Sequence, residues 1–74
     1  GALNMTTLLN TFNPLKAQIQ QTELAYNVAA QALLDYKGSD PKAVDALDAV
    51  LCNRYADWVE SRSAYNAAYY ALPQ

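Results

Sequence analysis

Gly38-Ser39-Asp40-Pro41 divides the chain and decides its fold. Gly38 suits the left-handed position that ends a helix. Asp40 suits an N-cap, and Pro41 the first position of the next helix, where a missing N–H costs nothing. On either side run stretches rich in Ala, Leu, Gln, Asp and Tyr, with no Gly or Pro from Leu15 to Lys37 or from Lys42 to Leu72. Neither carries the alternating β-branched residues of a strand.

Periodicity outward from this turn is helical. Before it, Leu15, Ile19, Thr22, Tyr26, Ala29, Leu33 and Tyr36 recur at alternating spacings of four and three, which is a heptad seam with one polar member. After it, Val44, Leu51, Trp58, Tyr65 and Leu72 recur every seven residues; Leu47 and Ala68 fill the other seam position, and Arg54 and Ser61 interrupt it. The expected fold is all-α: an antiparallel helical hairpin with helices over 14–37 and 41–72 in a domain of 14–74, dimerising into a helical bundle. A short connection makes long helices antiparallel neighbours. Pairing outward from the turn sets Leu33 against Leu47, Ala29 against Leu51, Thr22 near Trp58 and Leu15 near Tyr65.

Asn13-Pro14 reads as a second boundary, an N-cap followed by a first helical proline. The second helix would then outrun the first by about eight residues, roughly 12 Å. Residues 5–13 are the candidates to cover the excess around Tyr69 and Leu72, because Leu8 and Phe12 continue the first seam in phase. They form either a short helix of their own, the favoured reading, or the start of a longer helix kinked at Pro14. Gly1-Ala2-Leu3-Asn4 precede Met5 and read as a cloning remnant, leaving 5–74 as the natural chain.

Composition limits how such a hairpin is stabilised. The 74 residues are 53% hydrophobic and 16% charged, with no His and one Cys. A chain this short buries only about 60% of the surface its unfolded form exposes. Below roughly 70–80 residues, a domain usually leans on disulfides, a metal, oligomerisation or a partner. One Cys makes no internal disulfide, and without His there is no ordinary four-ligand zinc site. Association remains.

Charge and hydropathy exclude other classes. Five basic against seven acidic residues, with Lys16, Lys37, Lys42, Arg54 and Arg62 scattered, leave no footprint for nucleic acid. No stretch approaches the ~20 apolar residues of a spanning helix, and the start lacks the pattern of a signal peptide. The expected setting is cytoplasmic, with no membrane partner. No His is present as a base, and Cys52 has no imidazole to activate it. Cys52 reads as a small half-buried hydrophobe, with a disulfide across a dimer as the alternative. Asp45, Asp48, Asp57 and Glu60 read as a solvated helix face. The expectation is no enzyme, no cofactor, no metal and no catalytic residue.

The aromatic residues are the positive signal. Tyr55, Trp58, Tyr65, Tyr69 and Tyr70 all fall in the second half of the second helix. Trp58 and Tyr65 fit the seam, whereas Tyr55, Tyr69 and Tyr70 spread beyond it. From Ala64 to Leu72 the helix is apolar almost all round, which calls for contact on every side. Tyr, Trp and Arg anchor protein interfaces. The candidate interface is therefore Tyr55, Trp58, Arg62, Tyr65, Tyr69 and Tyr70, serving a homodimer, a target or both. Arg62 reads as solvated, paired with Asp57 or Glu60, or facing a partner. Arg54 sits in the seam gap opposite Tyr26, where a charge can fix register.

Asp57-Trp58-Val59-Glu60-Ser61, followed by the Ala- and Tyr-rich run to Leu72, resembles the second helix of small temperate-phage quorum-sensing anti-activators. The Met5-Thr6 start, the Leu15-Lys16 opening and the short polar linker are similar in layout. The resemblance implies a dimeric helical hairpin that binds host bacterial proteins, namely the quorum-sensing transcription regulator and the type IV pilus assembly ATPase. The expected function is a non-enzymatic inhibitor that occludes such a target. The alternatives are a helical co-chaperone of a secretion system and an anti-CRISPR-type inhibitor.

Overall fold

The computed structural model describes residues 4–73, which form two helices joined by a short turn. Helix α1 spans Met5–Asp35 and helix α2 spans Pro41–Tyr70. They pack against each other as an antiparallel hairpin.

The helix ends follow from local chemistry. Asn4 caps α1: its side chain accepts the Thr7 N–H at 2.8 Å. Of the four residues read as a remnant, Asn4 therefore takes part in the fold, and the other three lie outside the described residues. Asp40 caps α2 by accepting the Lys42 N–H at 3.0 Å, with Pro41 in the first position. The turn differs from expectation at Gly38. No described residue has a positive φ, and α1 ends two residues earlier, on Tyr36 in an extended conformation. The Tyr36 ring folds over Gly38, where any Cβ would collide with it. The Tyr36 hydroxyl also accepts the Asp40 N–H at 3.3 Å. A side chain at position 38 would have to displace the Tyr36 ring, and Tyr36 closes the turn.

Pro14 does not divide α1. The helix runs through it as one element of 31 residues, against 30 in α2. The separate N-terminal helix, the helix start at 14 and the overhang of α2 are all corrected by this. The ring removes one donor, the partner of the Asn10 carbonyl, at a cost of about 3 kcal/mol. Asn10 and Pro14 are both exposed, so water reaches the orphaned carbonyl. Packing offsets the cost. Phe12 meets Tyr65 edge to face with centroids 5.2 Å apart, and Leu8 and Phe12 line a hollow with Tyr65, Tyr69 and Leu72. Full burial of one such side chain contributes about 1.5–3 kcal/mol, and the half-buried Leu8 and Phe12 together supply about that much. Covering the end of α2 is what residues 5–13 do, as a continuation of α1. At its far end α2 stops at Tyr70, two residues short of the expected limit.

The α1 seam is as expected, with Leu8, Phe12, Leu15, Ile19, Thr22, Tyr26, Ala29, Leu33 and Tyr36 all buried or half-buried. The α2 seam is Ala43, Leu47, Leu51, Arg54, Trp58, Ser61, Tyr65, Ala68 and Leu72. Val44 faces out, and Arg54 and Ser61 belong to the seam rather than interrupting it. Ser61 is the most buried residue described, at 6% exposure. Its hydroxyl lies 2.8 Å from that of Thr22 across the helix pair. Thr22 thus meets Ser61, one turn beyond the Trp58 expected. The Trp58 carbonyl lies 2.7 Å from Ser61 Oγ, and the Gln18 and Ile19 carbonyls lie 2.9 and 3.0 Å from Thr22 Oγ1. Each hydroxyl has one proton. One donates to its own helix, the other donates across, and both oxygens are satisfied.

The molecule measures 60 × 16 × 11 Å, two helices wide and one thick. Its radius of gyration is 17.3 Å, against about 11 Å for a compact domain of this length. Only Thr22, Ala29 and Ser61 are buried, and no large side chain is fully buried among the described residues.

The Thr22–Ser61 bridge predicts a coupling. In a double-mutant cycle with Thr22→Val and Ser61→Ala, the pair should show an interaction of about 0.5–1.5 kcal/mol by chemical denaturation. Additive effects would show that the two hydroxyls act only within their own helices.

Candidate functional site: an aromatic cluster on one face of the hairpin

Residues spaced by three, four or seven share a helix face. Tyr55, Trp58 and Arg62 therefore form one stripe along α2, on one side of the seam. Tyr26 of α1 joins it. The Tyr26 ring lies 6.3 Å from Trp58, nearly parallel at 19°, and 5.8 Å from Tyr55. Tyr55 and Trp58 are 5.9 Å apart and tilted by 51°. Such ring pairs contribute roughly 0.5–1.5 kcal/mol each beyond their area. The cluster is held from both helices, so its shape depends on the hairpin register.

Arg62 lies over the Trp58 ring, with its guanidinium carbon 4.9 Å from the centroid. Of the three readings of Arg62, the ion pair to Asp57 or Glu60 is not the arrangement found. Asp57 binds Arg54 at 3.0 Å instead. That pair is about half exposed on both sides, so it contributes little to stability, about 0–1 kcal/mol. Trp58 is half-buried, and its Nε1–H is covered without a hydrogen-bond partner.

The six residues proposed from sequence do not form one patch. Tyr55, Trp58 and Arg62 come together with Tyr26. Tyr65 is half-buried against Phe12 and serves the hairpin. Tyr69 and Tyr70 form a third group at the end of α2, edge to face at 5.6 Å and 57% and 80% exposed. Tyr26 was missing from the set because it falls on the α1 seam. Its signal was its length: a tyrosine on a seam beside small Ala29 and Thr22 projects past its partner helix.

The opposite face carries a second feature that the heptad pattern hid. Leu24 and Val28 rim an apolar groove over Ala25, Ala29 and Ala32 of α1 and Val50 of α2, closed at one end by Arg54 and Gln21. Leu24, Val28 and Val50 are all exposed. The spacing of Leu24, Val28 and Ala32 was readable as a second stripe.

Cys52 is exposed, not half-buried. It stands beside Tyr26, Leu51 and Tyr55 at the edge of the aromatic cluster. No group of three or more His, Cys, Asp or Glu able to hold a metal occurs among the described residues. No described helix is long and apolar enough to cross a membrane. The face offers ring area and hydrogen-bond donors, which are the elements of binding. Compared with protein-family models, curated proteins and solved structures, the chain matches none.

The position of Cys52 predicts its reactivity. In the native protein it should label with a maleimide at a rate within a few-fold of that in denaturant. A native rate slower by a hundredfold would bury the thiol and contradict the described face.

Proposed function

We propose that the chain is a small non-enzymatic inhibitor, phage-encoded and acting in the host cytoplasm, that binds a host bacterial protein and occludes a surface the target needs. The quorum-sensing transcription regulator and the pilus assembly ATPase are the targets that its resemblance to the anti-activators names. The observation that carries the binding role is the aromatic face itself: Tyr26, Tyr55, Trp58 and Arg62 packed into one cluster, with Tyr55 49% exposed. Rings already held in place lose little entropy on binding, which favours them as anchors. A stable interface takes about 800 Å² from each partner, a small part of the 5676 Å² that this chain exposes.

The second face supports a homodimer. The groove rimmed by Leu24 and Val28 is aliphatic, with alanines at its floor that let another helix approach closely. A second copy seated there leaves the aromatic face free for the target. The two associations then use different sides of one thin hairpin.

Mixing experiments with the purified regulator and the purified ATPase test the proposal. Wild-type chain should form a complex with at least one of them on size-exclusion chromatography. Tyr55→Ala, Tyr70→Ala and Arg62→Ala should keep the helical circular-dichroism signal, and Tyr55→Ala and Arg62→Ala should weaken binding at least tenfold. Trp58→Ala should damage both fold and binding. Full binding by both Tyr55→Ala and Arg62→Ala, or no complex with either target, would overturn it.

A further inference from the structure

We propose that the aromatic face receives a carboxylate: Arg62, laid over Trp58, is the docking point for an acidic side chain flanked by apolar residues on a partner protein. The inference rests on the protein-binding reading above and names the chemistry of the segment bound.

Three observations converge on it. First, Arg62 has no counter-ion among the described residues. The helix positions that could reach it, three and four residues away, are Trp58, Val59, Tyr65 and Asn66, none of them acidic. Asp57 is engaged by Arg54, and Glu60 lines a hollow with Gln18, Thr22, Asp57 and Ser61. No ion pair or hydrogen bond of Arg62 occurs among the described residues, and its side chain is exposed. Second, the guanidinium is already placed. Held at 4.9 Å over the indole, it loses less freedom on binding than a solvated arginine, and its planar fork matches a carboxylate with two parallel hydrogen bonds. Third, the cluster has a surplus of donors. Arg62 supplies only donors, and none of them is engaged among the described residues. An ionised carboxylate is acceptor-only, so it complements this set. The exposed Tyr55 ring beside it gives an apolar neighbour of the acid a surface to cover.

Panning a random linear-peptide library against the full chain tests the assignment without any host protein, so its outcome is independent of whether the regulator or the ATPase binds. The enriched peptides should carry Asp or Glu next to Leu, Phe or Trp. Changing that acid to its amide should weaken binding at least tenfold. Arg62→Met, which keeps an apolar cover on Trp58, should lose binding to the same degree, and Arg62→Lys should fall between because it keeps charge without the fork. An unchanged circular-dichroism spectrum would show that the Met variant is folded. Enriched peptides without acids, no enrichment at all, or equal binding to folded Arg62→Met would each overturn the proposal. So would Arg62→Met breaking a homodimer while leaving peptide binding intact, since the carboxylate would then come from a second copy.

Discussion

Two helices lying side by side can hide only one stripe from each. At 11 Å, the hairpin is a single helix thick, so every residue off the seam meets solvent on one face or the other. The rest of the structure follows from this. The seam is filled by rings and aliphatic chains, yet nothing larger than threonine is buried. Uniqueness of register cannot come from a deep core, and two polar contacts help to supply it. The Thr22–Ser61 bridge ties the middle of the seam, and the Asp40 N–H donated to the Tyr36 hydroxyl ties the turn. Small hydroxyl side chains also bring the helices close, as large ones would not.

The same constraint organises the outer surfaces. Rings too long for the seam, Tyr26 and Trp58, project to one side and meet Tyr55 there. On the other side the small residues Ala25, Ala29 and Ala32 leave a groove. One face is therefore aromatic and donor-rich, and the other is aliphatic. That division lets one short chain present two unlike surfaces without a third helix.

Much of this was legible in the sequence. The heptad of α1 is correct from Leu8 to Tyr36, and the cap at Asp40–Pro41 places the turn. Two of the errors, at Pro14 and Ser61, are local rules overridden by contacts from the other helix, and two, at Gly38 and Arg62, are side-chain placements within the turn and within α2. Asn13-Pro14 is a good helix start in isolation. It loses to the continuous seam of Leu8, Phe12, Leu15 and Ile19, whose burial depends on Tyr65 and Leu72. Ser61 reads as a polar gap until Thr22 is known to face it. Gly38 suggests a left-handed cap, but its φ is not positive and the Tyr36 ring lies over it. Arg62 had acids nearby in sequence, and only the geometry shows that Asp57 turns toward Arg54. The candidate site was half legible: residue types pointed to an interface, whereas its partition into three clusters required the fold.

We propose that this hairpin is incomplete alone and that association covers what one seam cannot. Thermal melts over a thousandfold range of protein concentration, with the mass in solution measured at each, test it most directly. A coupled folding and association predicts a melting temperature that rises with concentration, together with a dimer mass. A melting temperature independent of concentration, with a monomer mass throughout, would contradict it.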